Sequence, residues 1–268
     1  MEENTYLELK KRITLANYIA SNAGSLITDL YHRKIRISEK EVNDFATELD
    51  KNIESMALRS ILNQFPDDGF YGEENIRVDT KNGFEWVVDP IDGTNNYVRG
   101  LPLCGFQLAI LFHDSPIFGL IHRPLTQEIY TATKGEGAHY VNQLTGENRS
   151  LEVSLRPLDQ AIGIFDAKVG KSSNPSTSIM LRLSDHINMS RVFGVAVFDL
   201  PAVAEGAVEF LVSGIAKKYD LAAGMLLIQE SGGVAYNLEG HEIKLTDELV
   251  IFSSPTVKDD ILRFINPV

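Results

Sequence analysis

Apolar positions recur at helical spacing through residues 4–32: Leu7, Ile13, Ala16, Ile19, Ala20, Ala23, Leu26, Ile27 and Leu30. The pattern predicts a long amphipathic helix. Gly24 interrupts it, at a cost of about 1 kcal/mol relative to Ala. A second helix is predicted over 41–64, with Phe45, Leu49, Ile53, Met56, Ala57 and Ile61 on one face and a stop before Pro66. The period then shortens. "FYGEEN" (70–75) and "FEWVVD" (84–89) read as strands that end in acids. Residues 103–124 read as two strands turning at Asp114-Ser115-Pro116, and 128–142 as a hairpin turning near Gly135-Glu136-Gly137.

Beyond that meander, strands and helices alternate. Strands are predicted at 161–167, in "MSRVFGVA", in "VEFLVSG" and at 249–254. Helices are predicted over Ser176–Ile187, in "FDLPAVAEGAV", over 220–233 with a glycine stop, and over Thr256–Phe264. Helices followed by an antiparallel meander, then alternating elements, predict an α+β and α/β chain built in layers. The softest boundary is near 145–155, which divides the chain into 1–148 and 149–268. No repeat or low-complexity segment stands out.

Composition narrows the function. The chain has 268 residues, 44% of them hydrophobic, and a net charge of −12. Such a charge argues against a nucleic-acid surface, which needs clustered Lys and Arg. A negative protein can still act on a small anion if bound cations supply the positive charge. One cysteine, Cys104, excludes an internal disulfide and fits a reducing compartment. The charged, helix-patterned start is unlike a signal peptide, and no apolar run approaches a membrane span. The expectation is a soluble, cytoplasmic protein.

Candidate chemistry concentrates in "GFEWVVDPIDGTNNY" (83–97). Pro90 keeps Asp89 extended at the strand end, and Asp92 follows a sharp bend. Gly93 allows close approach to its amide, and "GTNNYV" could open a short helix whose first amides face an anion. Thr94 adds a hydroxyl. Two carboxylates beside amide donors suit a hard cation that shares its shell with phosphate, and Mg²⁺ fits. The plainer alternative is an Asp turn in which both acids cap backbone amides. Glu73 and Glu74 stand at another strand end, Asp220 opens a helix, and Asp50 follows "FATEL". Alone, Asp220 would read as an N-cap and Asp50 as a solvated helix residue.

Taken together, "GEEN", "WVVDPIDGTNNYVRGLP" and "YDLAAGMLLIQESGG" resemble the three signature blocks of the inositol monophosphatase family, over essentially the whole chain. That family belongs to the lithium-sensitive, Mg²⁺-dependent phosphatases, with fructose-1,6-bisphosphatases and bisphosphate nucleotidases. The resemblance implies a layered αβαβα sandwich, usually a homodimer, that uses two or three Mg²⁺ ions. It implies that Glu73, Asp89, Asp92, Asp220 and the Ile91 carbonyl hold metal, and that Asp50 and Thr94, with Glu73, activate the attacking water. Asp92, Gly93, Thr94, Ala196 and Ser213 match phosphate- and substrate-binding positions. The implied reaction is hydrolysis of a small polar alcohol phosphate, such as an inositol or sugar phosphate.

Several positions depart from the family pattern. Tyr219 stands for Trp, Ser213 for a hydroxyl-reading Glu, Val195 for Ser or Thr, and Lys218 for Pro. The catalytic half therefore reads as intact and the substrate-reading half as altered. Histidinol phosphate, a 3′-phosphoadenosine nucleotide and fructose 1,6-bisphosphate remain alternative substrates. A metal-binding regulatory or scaffold homologue without activity is the alternative from another class. Lys217 and Lys218 could meet a second anionic group, though a solvated pair is the simpler reading. His122 reads as structural, Cys104 as a small buried hydrophobe, and 168–178 as a polar loop near the substrate entrance.

Overall fold

The computed structural model describes residues 3–31, 37–41, 44–166, 175–214, 217–247 and 249–266, with backbone alone for 37–47. Helix α1 (Glu3–Leu30) has the predicted extent. Gly24 has a packing reason, because a Cβ there would sit 2.2 Å from the His122 ring. That ring is buried and contacts the Ala20 carbonyl of α1 through Nδ1 at 3.1 Å. Helix α2 (Glu48–Gln64) begins later than its apolar spacing predicted. Residues 44–47 instead form β2 (Asp44–Thr47), which pairs antiparallel with β1 (Ile37–Glu41), so backbone pairing overrides the helical spacing of Phe45.

The first large sheet follows: β3 (Gly69–Gly72), β4 (Arg77–Val78), β5 (Phe84–Asp92), then the short helix α3 (Thr94–Val98), β6 (Gly105–Phe112), β7 (Ser115–Arg123), β8 (Glu128–Thr133), β9 (Gly137–Asn142) and β10 (Asn148–Ser150). Its order is β10-β9-β8-β7-β6-β5-β3-β4. All its pairings are antiparallel except β3 beside β5. The β6–β7 turn falls at His113-Asp114, one residue before the predicted site. Both residues have positive φ, 48° and 61°, as a two-residue hairpin of matching twist requires.

A 3₁₀ turn at Leu158–Gln160 leads into the second half. There follow β11 (Ile162–Phe165), α4 (Pro175–Leu183), β12 (Met189–Arg191), α5 (Ala196–Ala204), β13 (Phe210–Ser213), α6 (Lys218–Glu230), β14 (Val234–Tyr236), β15 (Val250–Ser253) and α7 (Pro255–Ile265). The five strands run in the order β12-β11-β13-β15-β14, parallel through the first three and antiparallel at β15. Of the expected loop at 168–178, residues 175–178 belong to α4, and 168–174 lie outside the described residues.

Three apolar cores define five layers. In β5, Trp86 and Val88 face α1 and α2, whereas Val87 faces the opposite core. Burial on both faces explains why this strand reads as a continuous apolar run. The opposite core contains α5 and α6 (Val197, Leu200, Leu226), and it is closed from the far side by Leu211 and Phe252 of the second sheet. The third core packs that sheet against α4 and α7 through Phe165, Ile179 and Ile261. The result is the expected αβαβα sandwich. Among the described residues, no helix is long and apolar enough to cross a membrane.

Candidate metal centre

Side chains three apart on a plain strand point to opposite faces. Between Asp89 and Asp92 the β5–β6 register shifts: Asp89 pairs Gln107 and Asp92 pairs Gly105, leaving Pro90 and Ile91 opposite the single residue Phe106. This bulge restores parity and turns both aspartates to one side. Pro90, which has no N–H for the ladder, is suited to that position. Gly93 then adopts φ 85° and ψ 30°. A Cβ there would meet the Leu103 carbonyl at 2.5 Å, so protein backbone itself demands the glycine. Thr94 opens α3, and its hydroxyl donates to the Ile91 carbonyl at 2.8 Å.

Glu73 arrives because β3 runs parallel to β5 with Gly72 beside Val88. The Glu73 amide donates to the Val88 carbonyl at 3.2 Å, next to Asp89. The turn beyond is fixed by Glu54 of α2, a buried carboxylate that accepts from the Glu74 amide at 2.7 Å. Asp220 comes from the first turn of α6, where one of its oxygens accepts the Lys217 amide at 3.1 Å. The start of α6 is tied to β5 by an ion pair between Lys218 and Glu85. Lys218 is thus a tether between the two sheets' halves rather than a solvated residue.

Asp89, Asp92 and Asp220 each offer a carboxylate oxygen within 4.8 Å of the others. Asp89 is buried; one of its oxygens takes the Gln107 amide at 3.2 Å, and Oδ1 has no hydrogen-bond partner. Asp92 Oδ2 accepts the Val197 amide from the start of α5 at 2.6 Å. Burial pushes the Asp89 carboxyl well above its usual range, and the charges of Glu73, Asp92 and Asp220 add to it. Asp92 is raised to about 8, first by burial and then by Asp199 and Glu73, against the opposing Val197 amide bond. Carboxylates that repel one another, with an orphaned buried oxygen among them, fit hard divalent cations with oxygen ligands.

The other expected residues fall nearby. Ser213 ends β13 and Ala196 begins α5, and both line a cavity of about 150 Å³ shared with Asp92 and Asp220. Val195 lines it too. Asp50 is buried in α2, near Tyr97 and Cys104, both of which are raised chiefly by burial, with the Asp50 charge adding to it. Cys104 is buried as expected and pushed up to about 12 by that burial. Two acids in the same cavity were not singled out in the sequence: Asp166, after β11, and Asp199, within α5. Their signals were an acid at a strand end in "IFDA" and an acid inside an apolar helix in "FDLPAVA".

A model of the inositol monophosphatase family matches residues 8–265. The Nus factor SuhB of Escherichia coli K12 is 31% identical over 253 residues, covering 92% of each chain. A fructose-1,6-bisphosphatase/inositol-1-monophosphatase of Thermotoga maritima is 27% identical over 260 residues, 96% of each. The solved Thermotoga maritima IMPase superposes with a TM-score of 0.85 at 26% identity, over 96% of this chain and 97% of that one. The match runs through both sheets and all three helix layers, and the chain belongs to the inositol monophosphatase family.

Proposed function

We propose that this chain is a Mg²⁺-dependent phosphomonoesterase that hydrolyses a small polar alcohol phosphate. Membership of a family of metal-dependent phosphatases supports the reaction class. The observation that carries the reading is the convergence of Asp89, Asp92 and Asp220 within 4.8 Å, from strand β5 and helix α6. In this reading these three, Glu73 and the Ile91 carbonyl hold the cations. When bound, the cations supply Lewis acidity, drawing charge from the phosphate oxygens and lowering the pKa of the attacking water.

The chain's own groups position the reaction. Thr94 donates its proton to the Ile91 carbonyl, so its oxygen lone pairs remain to accept a hydrogen bond from water. Asp50, on the α2 side, takes up the proton that water loses. Water oxygen bonds to phosphorus, the ester P–O bond breaks, and the proton taken up by Asp50 passes on through solvent to the leaving alkoxide. The transition state is loose, so alignment and charge neutralisation dominate. Gly93, Ala196 and Ser213 border the ester. The neutral Ser213 hydroxyl replaces a long acidic reader, which favours a substrate other than inositol 1-phosphate.

A regulatory role is the second reading, because the Escherichia coli relative carries the name Nus factor. A panel of phosphate esters, assayed for phosphate release with and without Mg²⁺, separates the two. Release that requires Mg²⁺ supports the phosphatase; no release from any ester supports the regulatory reading.

A further inference from the structure

Helix α2 carries two buried acids one turn apart, Asp50 and Glu54. Asp50 takes part in the reaction as read above, and Glu54 does not. Glu54 is completely buried, which is costly for an acid unless its oxygens are answered. Both are. Oε2 accepts the Glu74 amide at 2.7 Å, and Oε1 accepts the Ile76 amide at 3.3 Å. Burial raises the carboxyl above its usual range, and those two amides oppose the shift. The contact also dictates the sequence beside it. A Cβ on Gly72 would stand 2.3 Å from the Glu54 carboxyl carbon, so glycine at 72 is what lets the carboxylate reach the turn.

The two amides belong to the connection that follows Glu73. Pairing of β3 with β5 ends there, with the Glu73 amide on the Val88 carbonyl. The chain then turns back through Asn75, at φ 71°, and the Gly72 amide closes the turn on the Ile76 carbonyl at 3.0 Å. The exposed Arg77 holds the same turn through the Gly72 and Ile76 carbonyls. The Glu73 charge acts on both Asp89 and Asp92, so a small movement of this turn reaches the centre. A carboxylate offers an acceptor to each amide, whereas a glutamine of the same shape offers one oxygen and turns its NH₂ on the other. Resting on the reading of Glu73 as a metal ligand, we propose that Glu54 is its positioning residue. It holds the 73–76 turn from within and so aims the Glu73 carboxylate at cations beside Asp89.

The test compares Glu54→Gln, Gly72→Ala and Glu73→Gln with the wild type. Mg²⁺ binding is read by calorimetry without substrate, beside thermal melts in chelator. Glu54→Gln should weaken Mg²⁺ binding by about tenfold or more and raise in step the Mg²⁺ needed for half-maximal phosphate release. Its melting temperature in chelator should stay near that of the wild type, because a buried charge leaves with the hydrogen bond. Gly72→Ala displaces the carboxylate but keeps its charge. It should show the same loss of affinity, and it carries the test if Glu54→Gln fails to fold. A merely structural acid would give the reverse, a lower melt with unchanged Mg²⁺ affinity, and that result overturns the proposal. Weakened binding in Glu73→Gln alone also overturns it, leaving the ligand set intact. Mg²⁺ binding in Glu73→Gln equal to the wild type removes Glu73 from the ligands, and the positioning role falls with that reading.

Discussion

Asp92 shares its cluster with Asp89 and Asp220, and one of its oxygens is already committed to the Val197 amide. Replacing it with Asn keeps the shape and that amide bond but removes a ligand charge. Asp92→Asn is therefore expected to lower phosphate release by at least about a hundredfold. In metal-free buffer at pH 8 it should melt no lower than the wild type, because a repelling charge has gone. Wild-type turnover in the variant would remove Asp92 from the ligand set. The same crowding sets a pH dependence. Asp92 and Asp199 are each raised to about 8, so the folded protein holds their protons more tightly than the unfolded chain does. Stability without metal should then fall as pH rises from about 4 through 8. Thermal melts across that range, in chelator, measure it; a flat or rising profile would contradict the shifts. At this scale much was legible. Asp89, Asp92, Gly93 and Thr94 announce themselves because one short segment carries proline, glycine and two acids. Asp166 and Asp199 did not, because nothing local tells an acid at a strand end, or inside an apolar helix, from a cap. Only the approach of β11 and α5 to the cavity gives these acids meaning.

At the scale of elements, close approaches rather than side-chain chemistry locate the ligands. Helix α6 lies so near β7 that a Cβ on Gly119 would stand 2.7 Å from the Ala223 carbonyl. Gly119→Ala should push α6, and Asp220 with it, away from β5. The expected outcome is a loss of about 1–3 kcal/mol of stability and a higher Mg²⁺ concentration for half-maximal activity. Denaturant titration and a Mg²⁺ titration of phosphate release read the two effects; a variant with unchanged Mg²⁺ demand would show that α6 tolerates the shift. Helix α5 shows a related economy. Pro201 has no N–H for the Val197 carbonyl one turn back, and the Arg123 guanidinium donates to it instead, at 2.8 Å. Most elements were readable from periodicity, including both long strands of the β6–β7 hairpin and every helix of the second half. The β1–β2 hairpin was missed because its apolar spacing continues that of α2. Strands β4, β10 and β14 were missed because two or three residues show no period of their own, whereas β12 was read only as the start of a longer apolar run. The β5 bulge was half legible: Pro90 signalled a break, but the parity it restores depends on pairing with β6.

Across the whole molecule, net charge −12 and a cluster of like charges mean that the fold carries a cost which bound cations would relieve. Mg²⁺ well above its dissociation constant is expected to raise the melting temperature by several degrees, increasingly so as pH rises and the carboxyls give up their protons. Melts with no Mg²⁺ response at pH 8 would count against the centre. The layered architecture was foreseen from element order and from family resemblance. Neither showed which helices fill the middle layer: α5 and α6 are walled on both sides, by Val87, Ala109 and Ile121 from one sheet and by Leu211, Val250 and Phe252 from the other. Neither sheet can bury its inner face without these two helices. A protease nick in the exposed stretch at 143–147 should therefore leave two pieces that co-elute on gel filtration and still release phosphate, whereas either piece made separately should be recovered only as aggregate until its counterpart is supplied.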